Sequence, residues 1–164
     1  MLGAAQTNAQ TPHRRPHVLL FDLGGVLVEN VGFERLNALL PTPSPIEDLK
    51  TRWLASSAVR SFEVGACSSE SFAVALLKEW QIALTPNEFI EAFSSWPKGL
   101  YPGAAELLSR LRGRYRLGFL QLESHSLGAL RQLPWAVEIR LPSHLLGEVK
   151  PDPACFERAC KNAA

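Results

Sequence analysis

The sequence predicts an α/β fold in which a parallel sheet is covered by helices and a helical segment is inserted directly after the first strand. Three observations predict it. Val18-Leu19-Leu20-Phe21 is an unbroken apolar run that ends on Asp22 and the glycine pair Gly24-Gly25, and continuous apolarity closed by a turn signal marks a strand buried on both faces. Between Asn30 and Pro97 the apolar residues recur at helical spacing. Past Gly99, short strand and helix patterns alternate, which implies right-handed βαβ units and parallel pairing.

Asp22 falls at the end of the first strand, the rim where open α/β sheets place their ligands. Gly24 and Gly25 permit a sharp turn and let backbone N–H groups approach an anion. On this stretch alone, an aspartyl nucleophile beside an anion cradle and an ordinary β-turn carrying an Asp are equally good readings. Phe33, Leu36, Leu39 and Leu40 give a first helix, stopped at Pro41-Thr42-Pro43. Ser44-Pro45-Ile46-Glu47 has the form of a capping box for a second, with Leu49, Trp53 and Leu54 as its apolar face. Val59 and Phe62 continue the helical pattern to Gly65. Ser68 or Ser69 caps the next helix, whose buried side is Phe72, Leu76 and Trp80. Thr85-Pro86-Asn87-Glu88 repeats the start signal, and Phe89, Ala92, Phe93 and Trp96 form an amphipathic stripe closed by Pro97. Such aromatic stripes read as core, and residues 30–97 are expected to form a helical bundle with no strand in it.

After Gly99, Pro102 opens a helix through Leu107, Leu108 and Leu111 that ends at Gly113. Residues 116–121 read as a second strand, 126–133 as a helix, 136–141 as a third strand and 147–150 as a loop. Asp152-Pro153 starts a last helix, expected to turn Phe156, Ala159 and Cys160 inward.

A chain of 164 residues suits one core plus a small insertion. With 46% hydrophobic and 20% charged residues the composition is that of an ordinary globular protein. A net charge of +1, with Lys and Arg scattered, provides no field to draw nucleic acid or an anionic membrane surface, and no stretch has the length to cross a bilayer. Cys67, Cys155 and Cys160 form no CxxC pair and no zinc spacing. They fit a reducing compartment, hence an intracellular, cytoplasmic location, with Cys160 expected as a small core hydrophobe. Residues 1–16 lack the apolar run of a secretory signal and read as a disordered tail.

Layout and residues together resemble the haloacid dehalogenase-like hydrolases, most of which are phosphatases, and among them the subgroup with a small helical cap. The resemblance runs from about residue 17 to 161. Phe21-Asp22-Leu23-Gly24-Gly25-Val26-Leu27 is similar to the family's first motif, and Phe62-Glu63-Val64-Gly65 to the cap segment that faces the active site. Trp96-Pro97-Lys98-Gly99-Leu100-Tyr101-Pro102-Gly103 is similar to the return into the core. Ser143-His144-Leu145-Leu146-Gly147-Glu148-Val149-Lys150-Pro151-Asp152-Pro153 resembles the third motif, which carries a functional lysine.

The resemblance implies a Rossmann-like core over residues 17–29 and 98–164 and a helical cap over 30–97. It implies that Asp22 attacks phosphorus to form an aspartyl-phosphate, with Lys150 beside it to offset charge on the transferred group. Backbone N–H groups at Leu23 and Gly24 would hold the phosphoryl oxygens, with the Gln121 amide as a further phosphate contact. Mg²⁺ would bind through Asp22 and the Gly24 carbonyl, and Glu63 is the cap residue that would meet substrate. The implied reaction is Mg²⁺-dependent hydrolysis of a small phosphorylated metabolite.

Three departures from the family pattern bear on that reading. Gly24 stands where the family commonly has an acid–base Asp. Gln121-Leu122-Glu123-Ser124 replaces a Ser or Thr followed by Asn. The 14 residues after Lys150 are too few for the strand and Asp pair that complete the family's metal site. These departures imply a truncated or degenerate member whose sheet keeps three strands and lacks its C-terminal ones. Such a member would bind Mg²⁺ weakly, and its first strand would be open to pairing with another chain. Two rival readings follow: a pseudoenzyme inactive on its own, and a metal-independent haloacid dehalogenase using the same Asp on a carbon–halogen bond.

Overall fold

The computed structural model describes residues 16–121 and 138–163. In order, these hold β1 (Val18–Phe21), β2 (Val28–Asn30), α1 (Gly32–Leu39), α2 (Ile46–Ala55), α3 (Ser57–Glu63), α4 (Ser69–Trp80) and α5 (Pro86–Ser94). There follow β3 (Pro97–Leu100), α6 (Ala104–Arg112), β4 (Arg116–Gln121), β5 (Ile139–Pro142), α7 (Ser143–Leu146) and α8 (Pro153–Ala163). The helix expected at 126–133 and the start of the third strand at 136 lie outside the described residues, as does nearly all of the tail. Among the described residues no helix is long and apolar enough to cross a membrane.

The parallel sheet has the order β1-β4-β5, with Leu19 opposite Leu117 and Leu120 opposite Leu141. Strand β4 is central and buried on both faces. Leu117 and Phe119 pack with Ala104 and Leu108 of α6, and Leu120 packs with Leu146, Cys155 and Ala159 beneath α7 and α8. Gly118 lets the three strands close up, since a Cβ there would lie 2.6 Å from Leu20 Cδ2 and 2.9 Å from Ile139 Cβ. The expectation that Val18–Phe21 is buried on both faces is corrected: all four residues are half-buried. The strand forms an edge of the described sheet, so it has a neighbour on one side only.

Helices α1 to α5 enclose a separate core. It centres on Leu36, Leu49, Phe72, Leu76, Trp80 and Phe89, with Phe62 stacked on Phe72 at 4.1 Å between ring centroids. The aromatic stripes are therefore packing surfaces, as their spacing predicts. The stretch expected to be purely helical also contributes strand residues at its ends. Strands β2 and β3 form an antiparallel ribbon, with Val28 opposite Leu100 and Asn30 opposite Pro97. Three- and four-residue strands containing Pro97 and Gly99 carry no readable alternation.

Cap chemistry was read correctly in part. Thr85 and Glu88 form the reciprocal box, with Thr85 N–H donating to Glu88 Oε2 at 2.8 Å and Glu88 N–H to Thr85 Oγ1 at 3.3 Å. The Thr85 hydroxyl, which donates to Glu88 Oε2 at 2.7 Å, and after it the Thr85 N–H hold the Glu88 carboxyl below its ordinary value. At the second helix the expected box is absent. Pro45 is the N-cap, and Ser44 instead exchanges hydrogen bonds with the Asn37 amide, both 2.9 Å. The pattern from Leu49 to Phe62 is broken at Ser56, whose hydroxyl accepts from Val59 N–H and starts α3. Pro102 does not open α6; the helix begins after Gly103, which takes φ +83°.

The inward face of α8 also differs from expectation. Cys155, Ala159 and Ala163 face the sheet, whereas Phe156 is 46% exposed and Cys160 is exposed. The small residues at i, i+4 and i+8 let the helix lie close to the strands, and a Phe on that face would hold it off.

Candidate active site at the Asp22–Lys150 pair

The chain leaves β1 at Phe21 and turns at once. Val28 N–H donates to the Leu23 carbonyl at 2.8 Å and Gly25 N–H to the Val28 carbonyl at 2.8 Å. Val26 and Leu27 N–H groups also bond to the Leu23 carbonyl. Buried Leu23 and Leu27 anchor this loop in the core and leave Asp22 at the strand's carboxy-terminal rim. Gly25 takes φ +78°, which a side chain would strain.

From the far end of the sequence, β5 runs into α7, and the turn after it carries Lys150. Arg158 of α8 donates to the Leu146 carbonyl at 2.8 Å and pins α7 in place. Lys150 Nζ reaches Asp22 Oδ1 at 2.7 Å and donates to the Leu120 carbonyl on β4 at 3.2 Å. Its side chain is 14% exposed and that of Asp22 48%. The apolar stem of the lysine is thus packed away while its head meets the carboxylate of Asp22. The two residues singled out from sequence lie together.

The other expected groups are placed less uniformly. Leu23 N–H donates to Asp22 Oδ1 at 2.7 Å, so it orients the carboxylate instead of facing outward. Gly24 is exposed, and among the described residues neither its N–H nor its carbonyl enters a hydrogen bond. The flanking bonds of the Gly24–Val28 bridge turn both groups away from the loop. The Gly24 N–H thus has no bond to another described residue and lies at the exposed side of the turn. Gln121 ends β4, and the contact expected of its side chain lies outside the described residues. Glu63, the last residue of α3, is buried at 7% exposure rather than solvated at a helix end. Its charge acts on Arg60 and on the Cys155 thiol, which puts it on the side of the bundle that meets the core. Burial pushes the Cys155 thiol up, against the pull of the Lys150 ammonium.

The donors for Mg²⁺ are few. One Asp22 carboxylate oxygen is free of hydrogen bonds among the described residues, and the Gly24 carbonyl is too. Both are hard oxygens of the type Mg²⁺ takes when it keeps most of its waters. Among the described residues no group of three or more His, Cys, Asp or Glu side chains could hold a metal. The pair suits a cation held jointly with a substrate phosphate.

Sequence reading missed Arg60 and His144. Arg60 Nη2 lies 2.6 Å from Asp152 Oδ2 across 92 residues of sequence, and no local signal marks such a partner. A Cβ on Gly65 would lie 2.8 Å from His144 Cβ, so the turn after α3 sits directly on α7.

No family model matches the sequence, and no curated protein matches it. Solved structures do match its fold. A HAD family enzyme from Bacteroides thetaiotaomicron, determined in complex with magnesium and inorganic phosphate, superposes with a TM-score of 0.65 at 18% identity. The match covers 91% of this chain and 79% of that one. A predicted HAD-like family hydrolase from Porphyromonas gingivalis gives a TM-score of 0.65 at 20% identity, over 90% and 76% of the two chains. An L-2-haloacid dehalogenase gives 0.55 at 22% identity, over 89% and 70%. The chain has the haloacid dehalogenase-like hydrolase fold.

Proposed function

We propose that the protein is a hydrolase of small phosphorylated metabolites that works through an Asp22 phosphoryl-enzyme. The reading rests on one observation: a half-exposed carboxylate at the strand rim is held by a nearly buried ammonium at 2.7 Å. A carboxylate so placed is held in position to act as a nucleophile. A carboxylate oxygen of Asp22 attacks phosphorus, the bond from phosphorus to the leaving oxygen breaks, and that oxygen departs with the electron pair. Gly24 has no side chain, so the leaving oxygen takes its proton from solvent. The Gly24 N–H holds one phosphoryl oxygen, and the Lys150 ammonium offsets the charge gathered around the nucleophile. Water then attacks phosphorus, the Asp22–phosphorus bond breaks, and the carboxylate is regenerated as phosphate leaves.

Mg²⁺ held by Asp22 and the Gly24 carbonyl would neutralise charge on the phosphoryl oxygens. Helices α1 to α5 act as the cap in this reading, with Glu63 on the side facing the core. The magnesium and phosphate bound by the fold's Bacteroides representative support the assignment.

The test is hydrolysis of p-nitrophenyl phosphate with Mg²⁺ by the purified chain and by Asp22→Asn. Turnover by the first and its loss in the second is the expected result. A folded but inactive wild type would favour the pseudoenzyme reading. A second reading, a metal-independent dehalogenase, is favoured by the small number of metal ligands among the described residues. Release of halide from a 2-haloacid in the presence of a strong chelator would select it.

A further inference from the structure

Among the described residues, two contacts between the helical bundle and the core lie beside Lys150. One is Arg60 on Asp152, 2.6 Å apart. The other is Gly65, at φ +74°, against His144 of α7. Asp152 follows Lys150 by two residues, and its N–H donates to the Val149 carbonyl at 2.9 Å. Residues 149–152 thus form a single turn with Lys150 and Pro151 at its centre. The start of that segment is set by α7, on which Gly65 rests, and its end by Asp152, which Arg60 holds. Both anchors come from α3 and the turn that follows it. Arg60 faces acidic groups on this side of the molecule. Its guanidinium is raised above its ordinary value chiefly by the hydrogen bond and charge of Asp152, with Glu148 and Glu63 adding to it. Glu148 is shared with Arg158, 3.5 Å away, whereas Asp152 accepts from Arg60 at 2.6 Å.

We propose that Arg60 is a positioning residue for Lys150: by holding Asp152, it couples seating of the helical bundle on the core to placement of the ammonium at Asp22. The bundle then serves as more than a cover, because a bundle swung away on the β2–β3 ribbon releases the turn that aims the cation. The kinetic consequence rests on the hydrolase reading above, while the structural coupling does not.

The experiment compares the full chain with Arg60→Ala, Arg60→Lys, Asp152→Arg and the swapped pair Arg60→Asp/Asp152→Arg. Amide hydrogen exchange is read at 149–152, at the ribbon 28–30 and 97–100, and at α4 and β4 as internal controls. Half-exposed ion pairs act weakly, so Arg60→Ala is expected to speed exchange at Asp152 and the ribbon by about three- to fivefold, with the controls unchanged. Arg60→Lys restores most of the protection, and the swapped pair recovers more than the sum of its single changes predicts. With p-nitrophenyl phosphate, Arg60→Ala lowers kcat by more than it changes KM. Unchanged exchange in Arg60→Ala, strictly additive effects in the swapped pair, or a rise in KM alone would each overturn the proposal. Coupled exchange in a wild type that hydrolyses nothing would support the coupling and overturn the hydrolase reading instead.

Discussion

Replacing Lys150 with Met separates the chemistry of this site from its contribution to folding. The lysine stem is nearly buried, with the side chain 14% exposed, and Met keeps most of that apolar packing. Two interactions of the ammonium are lost, to Asp22 at 2.7 Å and to the Leu120 carbonyl at 3.2 Å. Asp22 is 48% exposed and keeps the Leu23 N–H at 2.7 Å, so water takes over the role of the missing cation. A partly exposed pair contributes roughly 1 kcal/mol or less, and one weakened hydrogen bond about as much again. The combined loss of about 2 kcal/mol corresponds to a fall in Tm of about 4–8 °C for a chain of this length. The reaction is affected far more. Removing one charged donor aimed at the charge that builds up in the transition state typically costs about 10²–10³ in kcat. Thermal melting followed by circular dichroism and turnover of an aryl phosphate with Mg²⁺ measure the two effects separately. A fall in kcat of less than about tenfold would refute the assignment of Lys150 as the electrostatic partner, since it lies far below the loss expected from such a donor. A collapse of the fold would show that the pair is structural.

Other perturbations test neighbouring parts of the structure. Gly24→Asp places a carboxyl near Asp22 with its Cβ 3.3 Å from Asn30 Nδ2; hydrolysis of an alkyl phosphate should rise at least ~10-fold if a proton donor is what the site lacks, and an unchanged rate would rule that out. Gly118→Ala drives a methyl into Leu20 and Ile139 and should destabilise the sheet by about 1–3 kcal/mol in chemical denaturation; an unaltered midpoint would refute the close packing described. In a thiol-reactivity assay Cys160 should react first and Cys155 only on unfolding, because Cys155 is fully buried and Cys160 exposed. The raised Cys155 thiol favours its neutral form in the folded state. Its contribution is therefore fully present below the ordinary thiol range of about 8.5 and is lost as pH rises through the raised folded value. Cys155→Ala should flatten that alkaline limb of a stability–pH profile, and an unchanged limb would assign it to another group.

Local order was legible from neighbouring residues. The turn at Gly24-Gly25 placed Asp22 at a strand end, the apolar run at 116–121 gave β4 its observed bounds, and Thr85-Pro86-Asn87-Glu88 marked a capping box that forms as read. Lys150 came from a resemblance of motif, and the fold brings it to Asp22. Each of these signals lies within a few residues of the feature it specifies, because caps, turns and strand runs are short-range chemistry. Ser44 shows the limit: its box pattern is intact in sequence, yet the Asn37 side chain takes its backbone groups instead.

What tertiary structure alone decided are the features that depend on which layers meet. The half-burial of β1 follows from its place at the edge of the sheet order, which its own residues do not encode. The inward face of α8 is set by how near the helix must lie to β5, which selects Cys155 and Ala159 over Phe156. The Arg60–Asp152 contact joins residues 92 apart in sequence, and neither carries a local pattern pointing to the other. The sequence by itself determined where a carboxylate stands at the rim of a strand. Only the packing of helices against that rim decided that Arg60 meets Asp152 beside Lys150, because charge partners are chosen by proximity in space rather than along the chain.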